Sequence, residues 1–195
     1  MKVLAIAASS RRNGNSETLL DRVLFGLKKK GVIIKKVILT ELKISPCIAG
    51  CEVCYKLGEC VIKDDMQALY NDLLTCDILL IASPICFQGL PCRLKCAIDR
   101  CQALWARKFI LKKKLVDKKS KAKRQGAVIL VCASRKVKNT FTGAITTLKA
   151  WYSTLDIKYK NEFLAEGLEQ ESAALKDKKL LKRAVEFGKK LGGRA

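Results

Sequence analysis

Short apolar runs that alternate with amphipathic helical patterns are the feature that most restricts the fold of this chain. Residues 3–8, 78–82 and 127–132 are apolar on both faces, as expected for strands in the middle of a parallel sheet. The segments between these runs place their apolar residues at helical spacing. Strands that alternate with helices predict a parallel α/β sandwich, with helices packed on the sheet.

Five strands with their helices account for most of the 195 residues. Gly31 is expected to end the first helix, and Asp64 suits the N-cap of the second. Five parallel strands suit a flavodoxin-like three-layer sandwich of order 2-1-3-4-5, which binds ligands at the carboxyl ends of strands one and three. We expect residues 1–195 to form one domain. The predicted strands are 2–8, 32–39, 77–82, 127–132 and 157–165, and the predicted helices are 16–30, 64–75, 92–106, 139–155 and 172–191.

The composition restricts the class of partner and the compartment. The 39 basic and 18 acidic residues give a net charge of +21, so an anionic partner is expected. The lysines are spread over predicted helix faces and only 6% of residues are aromatic, which favours phosphorylated cofactors or an acidic redox protein over nucleic acid. No apolar run has the length of a membrane span. Ten cysteines without a histidine indicate metal or redox chemistry in the reducing cytoplasm.

A polar segment, residues 9–18, joins the first strand to the first helix. A helix N-terminus offers unpaired amides and the positive end of the helix dipole, and an arginine can fork onto phosphate oxygens. Either Arg11 or Arg12 could fill this role. The chain has neither a G-x-G-x-x-G nor a Walker motif, so the expected phosphate belongs to a mononucleotide. Residues 83–91 and 133–143 also follow buried strands, and a flat ring would lie against them at the same sheet edge.

The motifs in these segments resemble those of the flavodoxin-like NAD(P)H-dependent FMN reductases, and among them the iron–sulfur flavoproteins. The resemblance covers nearly the whole chain, including residues 98–102 and 104–108. The motifs that carry it are Ser9-Ser10-Arg11-Arg12-Asn13-Gly14-Asn15-Ser16, Cys60-Val61-Ile62-Lys63-Asp64-Asp65-Met66 and Ser83-Pro84-Ile85-Cys86-Phe87-Gln88-Gly89-Leu90-Pro91.

The resemblance implies a set of FMN contacts. The residues implied at the phosphate are Ser9, Arg11, Asn15 and Ser16. Those implied beside the isoalloxazine ring are Pro84, Ile85, Phe87 and Gly89, where backbone amides would bond the ring. For Pro84 and Phe87 the alternative is a turn with a core aromatic. In the third loop, Ala133-Ser134-Arg135-Lys136, we take Ser134 and Arg135 as cofactor contacts, with ordinary loop residues as the alternative.

Four cysteines are crowded into the cysteine loop, residues 45–61. They are Cys47, Cys51, Cys54 and Cys60, with the spacing C-x3-C-x2-C-x5-C. Thiolates are ligands for soft metals, and the compact spacing favours a [4Fe–4S] cluster over zinc; free or redox-active thiols are the other alternative. The iron–sulfur flavoproteins have C-x2-C-x2-C-x5-C here, so this chain carries one additional residue between the first two cysteines.

The resemblance implies an FMN-dependent oxidoreductase. Electrons from NAD(P)H or a ferredoxin would pass through FMN, and through the cluster, to a small-molecule acceptor or an electron carrier. No side-chain acid or base is needed, because the flavin supplies the chemistry. A flavodoxin-like electron carrier without its own substrate is one alternative, and a basic nucleic-acid-binding protein is another. Relatives in this family generally form dimers or tetramers, so a homodimer or homotetramer is expected.

Overall fold

The strands form one five-stranded, all-parallel sheet in a computed structural model that describes residues 1–135 and 137–193. The strands are β1 (Lys2–Ala7), β2 (Ile33–Ile38), β3 (Ile78–Pro84), β4 (Gln125–Val131) and β5 (Lys158–Ala165). Their order is β2-β1-β3-β4-β5, with every neighbouring pair parallel. This confirms the predicted flavodoxin-like fold class. The apolar run at the start of the chain is therefore a strand inside the sheet.

Helices cover both faces of the sheet. Successive residues of β1 face opposite layers: Leu4 and Ile6 pack into one buried cluster, while Val3, Ala5 and Ala7 pack into the other. None of the described helices is long and apolar enough to cross a membrane. The helices are α1 (Asn15–Leu27), α2 (Val53–Leu57), α3 (Met66–Thr75), α4 (Cys92–Arg100), α5 (Gln102–Trp105), α6 (Lys118–Lys123), α7 (Thr142–Thr154), α8 (Ala173–Lys176) and α9 (Lys178–Leu191).

Two glycines let α1 and α9 pack with their backbones in close contact. A Cβ on Gly26 would collide with the carbonyl of Val185, and a Cβ on Gly188 would collide with the carbonyl of Val23. The approach therefore excludes any side chain at either position. Because α1 begins at the carboxyl end of β1, this contact fixes the direction in which its first turn points.

The structure corrects several predicted helix boundaries. The helix predicted over 92–106 ends at Arg100 and continues as α5 and a π-helical turn, Ala106–Ile110. The helix predicted over 172–191 is interrupted at Asp177, whose carboxylate accepts a hydrogen bond from the Leu180 amide (2.9 Å) and caps α9. Gly31 has a positive φ of 79°, although α1 already ends at Leu27.

The second predicted helix begins one residue later than an N-cap at Asp64 implies. It starts at Met66, and Asp64 lies before its first turn rather than at the N-cap position. The Asp64 carboxylate still accepts from the Met66 amide at 3.1 Å. Two short helices, α2 in the cysteine loop and α6 in the lysine-rich connection, were not expected from periodicity, because neither is long enough to show one.

Candidate functional site

The three predicted loops follow neighbouring strands at one edge of the sheet. The base of the first loop is joined to β3, since the Ala8 amide donates to the Ala82 carbonyl at 2.8 Å. The second loop is joined to β4 by the Ile85 amide, which donates to the Val131 carbonyl at 2.8 Å. The structure therefore brings the starts of residues 9–16, 84–89 and 132–141 together at the carboxyl ends of β1, β3 and β4.

The 9–16 loop leads into α1 and leaves the first amides of the helix available. In the described part of the chain, no acceptor meets the backbone amides of Asn15, Ser16 or Glu17. Gly14 is the N-cap residue, and a Cβ there would lie 3.2 Å from the Arg11 carbonyl and 3.6 Å from Ser9 Oγ. Ser9 Oγ accepts from the Arg11 amide at 3.1 Å. A compact loop with three free amides at a helix N-terminus is suited to an anion.

The two arginines of this loop have different surroundings. Arg12 forms ion pairs with Glu41 and, at 3.6 Å, with buried Glu17. Arg11 is exposed, and its guanidinium has no carboxylate partner among the residues that the structure describes. The Glu17 carboxylate also pairs with Lys36 at 2.9 Å. Arg12 is thus committed to internal contacts, whereas Arg11 is available for a ligand.

Burial alone would raise the pKa of Glu17. Hydrogen bonds from Lys36 and the Asn13 amide, together with the charges of Lys36 and Arg12, outweigh it, so the pKa lies below its usual value. The carboxylate is therefore ionised and already neutralised by the two cations. A phosphate at the neighbouring helix amides would not face an unpaired negative charge.

The side chain of Asn15 forms hydrogen bonds within the protein. Its Nδ2 donates to the carbonyls of Leu168 and Gln170, both at 2.9 Å, and its Oδ1 accepts from the Ala174 amide at 2.9 Å. The segment that follows β5 is thereby held against the 9–16 loop. The structure thus gives Asn15 a fixed structural task beside the candidate phosphate site. Sequence reasoning missed this segment, because its partner lies more than 150 residues away.

The second loop turns sharply at Phe87 and Gln88. The Cys86 and Gly89 backbones exchange hydrogen bonds of 3.1 and 2.8 Å around the two residues. Both residues have positive φ, 48° and 58°, as in a type I′ turn, which normally uses Asn or Gly. Two non-glycine residues in this conformation are strained, and such strain accumulates at functional sites.

The turn also shows which groups of this loop are free. Phe87 is fully exposed, so the alternative of a core aromatic is wrong. The amides of Ile85 and Gly89 are used within the protein, while those of Phe87 and Gln88 meet no acceptor in the described residues. Pro84 ends β3 and is half-buried. The tip of the turn, rather than its base, therefore offers amides to a ligand.

The third loop faces the segment after β5. The Ser134 carbonyl accepts from the Gly167 amide at 3.2 Å. The Arg135 side chain lies across Gly167, where any Cβ would collide with it, and Gly167 has a φ of 73°. Lys136 lies outside the described residues. The structure thus places Ser134 and Arg135 at the correct sheet edge, with Arg135 packed against the segment that follows β5.

A buried ion pair holds the two ends of the cysteine loop together. Arg100, which ends α4, pairs with Asp64 through two hydrogen bonds of 2.6 and 3.0 Å. Its guanidinium also donates to the Ser45 carbonyl (2.8 Å) and the Ile62 carbonyl (3.2 Å). The Asp64 carboxylate accepts from the Ser45 amide at 2.9 Å. The pair was not recognised from the sequence, although both residues lie in motifs that carry the resemblance.

The four cysteines of the loop lie near one another without surrounding a common point. Burial is the largest influence that raises the pKa of Cys54, followed by the nearby Cys51 thiol; Cys47 and Cys60 add to it. All ten cysteines are free thiols. Among the described residues, no three Cys, Asp, Glu or His side chains are arranged to hold a metal ion. The donor set fits an iron–sulfur cluster, and its arrangement would have to tighten around one.

Fold and site together define a flavodoxin-like α/β protein with an anion site at the edge of its sheet. The model of the NADPH-dependent FMN reductase family matches residues 1–157, so the chain belongs to that family. This confirms the family that the motifs predict.

Curated relatives are named as iron–sulfur flavoproteins. One from Methanocaldococcus jannaschii is 32% identical over 104 residues, 53% of each chain. One from Archaeoglobus fulgidus is 36% identical over 100 residues, 51% of this chain and 45% of its own. The chain thus spans about half the length of the curated relatives it matches. These names agree with the branch of the family to which the motifs point.

Solved structures support the same fold. The NAD(P)H:quinone oxidoreductase from Methanothermobacter marburgensis has a TM-score of 0.73 at 14% identity, covering 100% of this chain and 98% of its own. An FMN-dependent NADH-azoreductase of Bacillus anthracis, in complex with FMN, has a TM-score of 0.66 at 15% identity, covering 100% and 99%. At these identities the likeness concerns the fold alone.

Proposed function

We propose that this protein is an FMN-dependent oxidoreductase that passes electrons from NAD(P)H or a ferredoxin through FMN to a small-molecule acceptor or electron carrier. The observation that carries the proposal is the 9–16 loop, where three helix amides and the Arg11 guanidinium have no partner among the described residues. Membership of the FMN reductase family supports FMN as the ligand. The missing dinucleotide and Walker motifs agree with a mononucleotide.

Each part of the site has a role in holding this cofactor. The α1 amides and Arg11 bind the phosphate by charge-assisted hydrogen bonds, with Ser9 and Ser16 beside it. The free amides of Phe87 and Gln88 donate to polar atoms of the ring edge, and Phe87 supplies an apolar surface. Bound FMN would supply both hydride and single-electron transfer. The protein itself would therefore have to position the flavin and exclude water from it, rather than transfer protons.

We further propose that Cys47, Cys51, Cys54 and Cys60 hold a [4Fe–4S] cluster. Four free thiols in one loop, grouped around Cys54, support it, as do the names of the relatives. A cluster would draw the four sulfurs inward, and Gly50 gives the longer first spacing its freedom. Zinc and unligated redox-active thiols are the competing occupancies.

The same proposal includes an electron donor, a location and an oligomeric state. A charge of +21 suits an acidic ferredoxin as electron donor, and a cytoplasmic location suits ten reduced thiols. We propose a homodimer or homotetramer, which would bring two electron-transfer sites close together. Nucleic acid is not required to explain the basic surface.

Anaerobic purification tests the cofactors. We expect an optical spectrum with flavin bands, together with iron and sulfide in equal amounts, close to four of each per chain. Flavin without iron would leave an FMN reductase and remove the cluster. Absence of flavin after incubation with excess FMN, with salt-sensitive binding of RNA instead, would overturn the proposal in favour of a nucleic-acid-binding protein.

Anaerobic mixing with NADPH or NADH tests the reaction. Rapid bleaching of the flavin absorbance would support the reductase. If neither nucleotide bleaches the flavin but a reduced ferredoxin does, the donor is a ferredoxin. If none of the three does, the protein is an electron carrier without its own donor site, and the proposed activity is wrong.

A further inference from the structure

Arg100 is the most completely buried cation of the described chain and the point at which the ends of the cysteine loop meet. Its side chain has no exposed surface. Four hydrogen bonds, to Asp64, Ser45 and Ile62, occupy its two terminal nitrogens. Tyr70 Oη donates to the Arg100 carbonyl at 2.6 Å and fixes its backbone. This number of contacts exceeds what an ion pair with Asp64 alone requires.

One polar atom of this residue is left over. Arg100 Nε is buried and has no hydrogen-bond partner among the described residues. The guanidinium holds the Ile62 carbonyl at 3.2 Å, and Ile62 lies only two residues after Cys60. The Cys60 sulfur is therefore a candidate acceptor that the cysteine loop can bring to Nε. A buried donor without an acceptor is costly, so it points to an acceptor that arrives with a ligand.

We propose that Arg100 is the positioning residue of the cysteine site: it fixes both ends of the loop and presents Nε–H to the sulfur at Cys60. The inference rests on the proposed cluster. Ser45 lies two residues before Cys47, and Ile62 lies two residues after Cys60. One guanidinium holds both carbonyls, so the ends of the loop are already closed. This lowers the entropy cost of bringing the four thiols together.

An arginine is needed for this geometry. The planar guanidinium reaches both oxygens of Asp64 and two backbone carbonyls at once, and still has Nε–H to donate. A lysine at the same place would keep the positive charge against Asp64, but it has one nitrogen and cannot span both ends of the loop. Arg100→Lys therefore keeps the positive charge and removes the hydrogen bonds that only a guanidinium can form. Arg93→Lys on the exposed side of the same helix is the matched control.

The first measurement uses the metal-free protein. Hydrogen exchange and alkylation of Cys60 are compared in wild type, Arg100→Lys and Arg93→Lys. We expect amides 46–61 to exchange about tenfold faster, and Cys60 to react faster, in Arg100→Lys only, with the sheet amides unchanged. Asp64→Asn provides a second variant, because it releases the ion pair while leaving both carbonyl contacts, and we expect a smaller change in the same direction.

The second measurement uses protein reconstituted with iron and sulfide. Hydrogen bonds to sulfur raise the reduction potential of an iron–sulfur cluster, so Arg100→Lys should have a more negative potential and a lower iron content than wild type. Arg93→Lys should match wild type in both. If Arg100→Lys and Asp64→Asn keep wild-type exchange, Cys60 reactivity and potential, the inference is wrong. If wild type itself takes up no iron, the proposed cluster is wrong, while the exchange data still decide whether Arg100 holds the loop.

Discussion

The 9–16 loop follows β1 and the cysteine loop follows β2 in the chain, yet the two loops are organised in different ways. In the first, the ligand-binding groups are backbone amides of α1, and the position of α1 is fixed by its packing on α9. In the second, the candidate ligands are side chains on a segment whose ends meet at the Arg100–Asp64 pair and whose Cys54 packs against Ala103 and Ala106. One site exists before its ligand binds, whereas in the other the four thiols do not yet surround a common point.

This difference has a consequence for the two ligands. A preformed site loses little conformational entropy on binding, so its affinity follows directly from its contacts. A loop whose ligands have still to converge couples binding to local folding, as structural metal sites do. We therefore expect single side-chain changes to weaken binding gradually at the 9–16 loop and to abolish it at the cysteine loop. The predictions below test this contrast, from the largest effect to the smallest.

Cys54→Ser should have the largest effect. Cys54 is the buried member of the four thiols, and a cluster that has to organise its own loop cannot form with three ligands. We expect iron content below about a tenth of wild type after anaerobic reconstitution, with FMN content unchanged. Cys92→Ser, at an exposed cysteine outside the loop, should keep its iron. Full iron retention in Cys54→Ser would show that the four cysteines do not act as one site.

Arg11→Gln should weaken FMN binding without abolishing it. Removing one charge-assisted hydrogen bond to phosphate should raise the FMN dissociation constant about 10- to 100-fold, measured by fluorescence quenching of the free flavin. The helix amides remain, so binding persists.

Arg12→Gln is the matched control for that measurement. Arg12 is already paired with Glu41 and Glu17, so we expect its FMN affinity to stay within about twofold of wild type, with a stability loss below about 1 kcal/mol. A larger loss of affinity in Arg12→Gln than in Arg11→Gln would reverse the assignment of the two arginines.

Features that depend on local pattern were predictable from the sequence. The buried runs identified β1, β3 and β4, because a central parallel strand is apolar on both faces. The strand order followed from the number of strands and the family resemblance. The 9–16 loop was found for the same reason, since its polar residues lie between a strand and a helix that both have clear patterns. The preference for Arg11 over Arg12 agrees with the ion pairs of Arg12 and stays a prediction.

Features that depend on distant partners were not predictable. In the sequence, Arg100 is one of many basic residues on helices. Its role is visible only in the structure, where it pairs with Asp64, 36 residues away. The hydrogen bonds of Asn15 to the segment after β5 could not be predicted either, although its role at the phosphate stays a prediction. The short helix α2 depends on left-handed residues at both ends, Glu52 and Gly58, and its five residues show no periodicity.

Asn15→Asp tests whether Asn15 shapes the 9–16 loop or binds the cofactor directly. A carboxylate would place a negative oxygen against the carbonyls of Leu168 and Gln170, so the free energy of unfolding should fall by about 2 kcal/mol. Urea unfolding of the FMN-free protein measures it. Asn71→Asp, on the exposed side of α3, is the control and should be nearly neutral. Unchanged stability together with weaker FMN binding would make Asn15 a ligand and not a structural residue.

The smallest expected effect is a pH dependence at the 9–16 loop. Because the pKa of Glu17 is lower in the folded protein than in the unfolded chain, its ionised form adds stability above the unfolded value of about 4.3. That contribution is lost as the pH falls through the lower folded pKa. The stability advantage of wild type over Glu17→Gln should therefore be constant from about pH 7 to pH 5 and decline as the pH falls below the unfolded value.

Urea unfolding of the FMN-free proteins across this pH range measures the advantage. Glu186→Gln removes an exposed carboxylate paired with Lys189 and should show a smaller dependence, because solvent screens that pair. An advantage that grows below pH 4 would mean that Glu17 is protonated in the folded protein. Its buried carboxyl would then not neutralise Lys36 and Arg12, which would keep only Asp21 and Glu41 as partners. The contrast between a committed Arg12 and an available Arg11 would then be smaller.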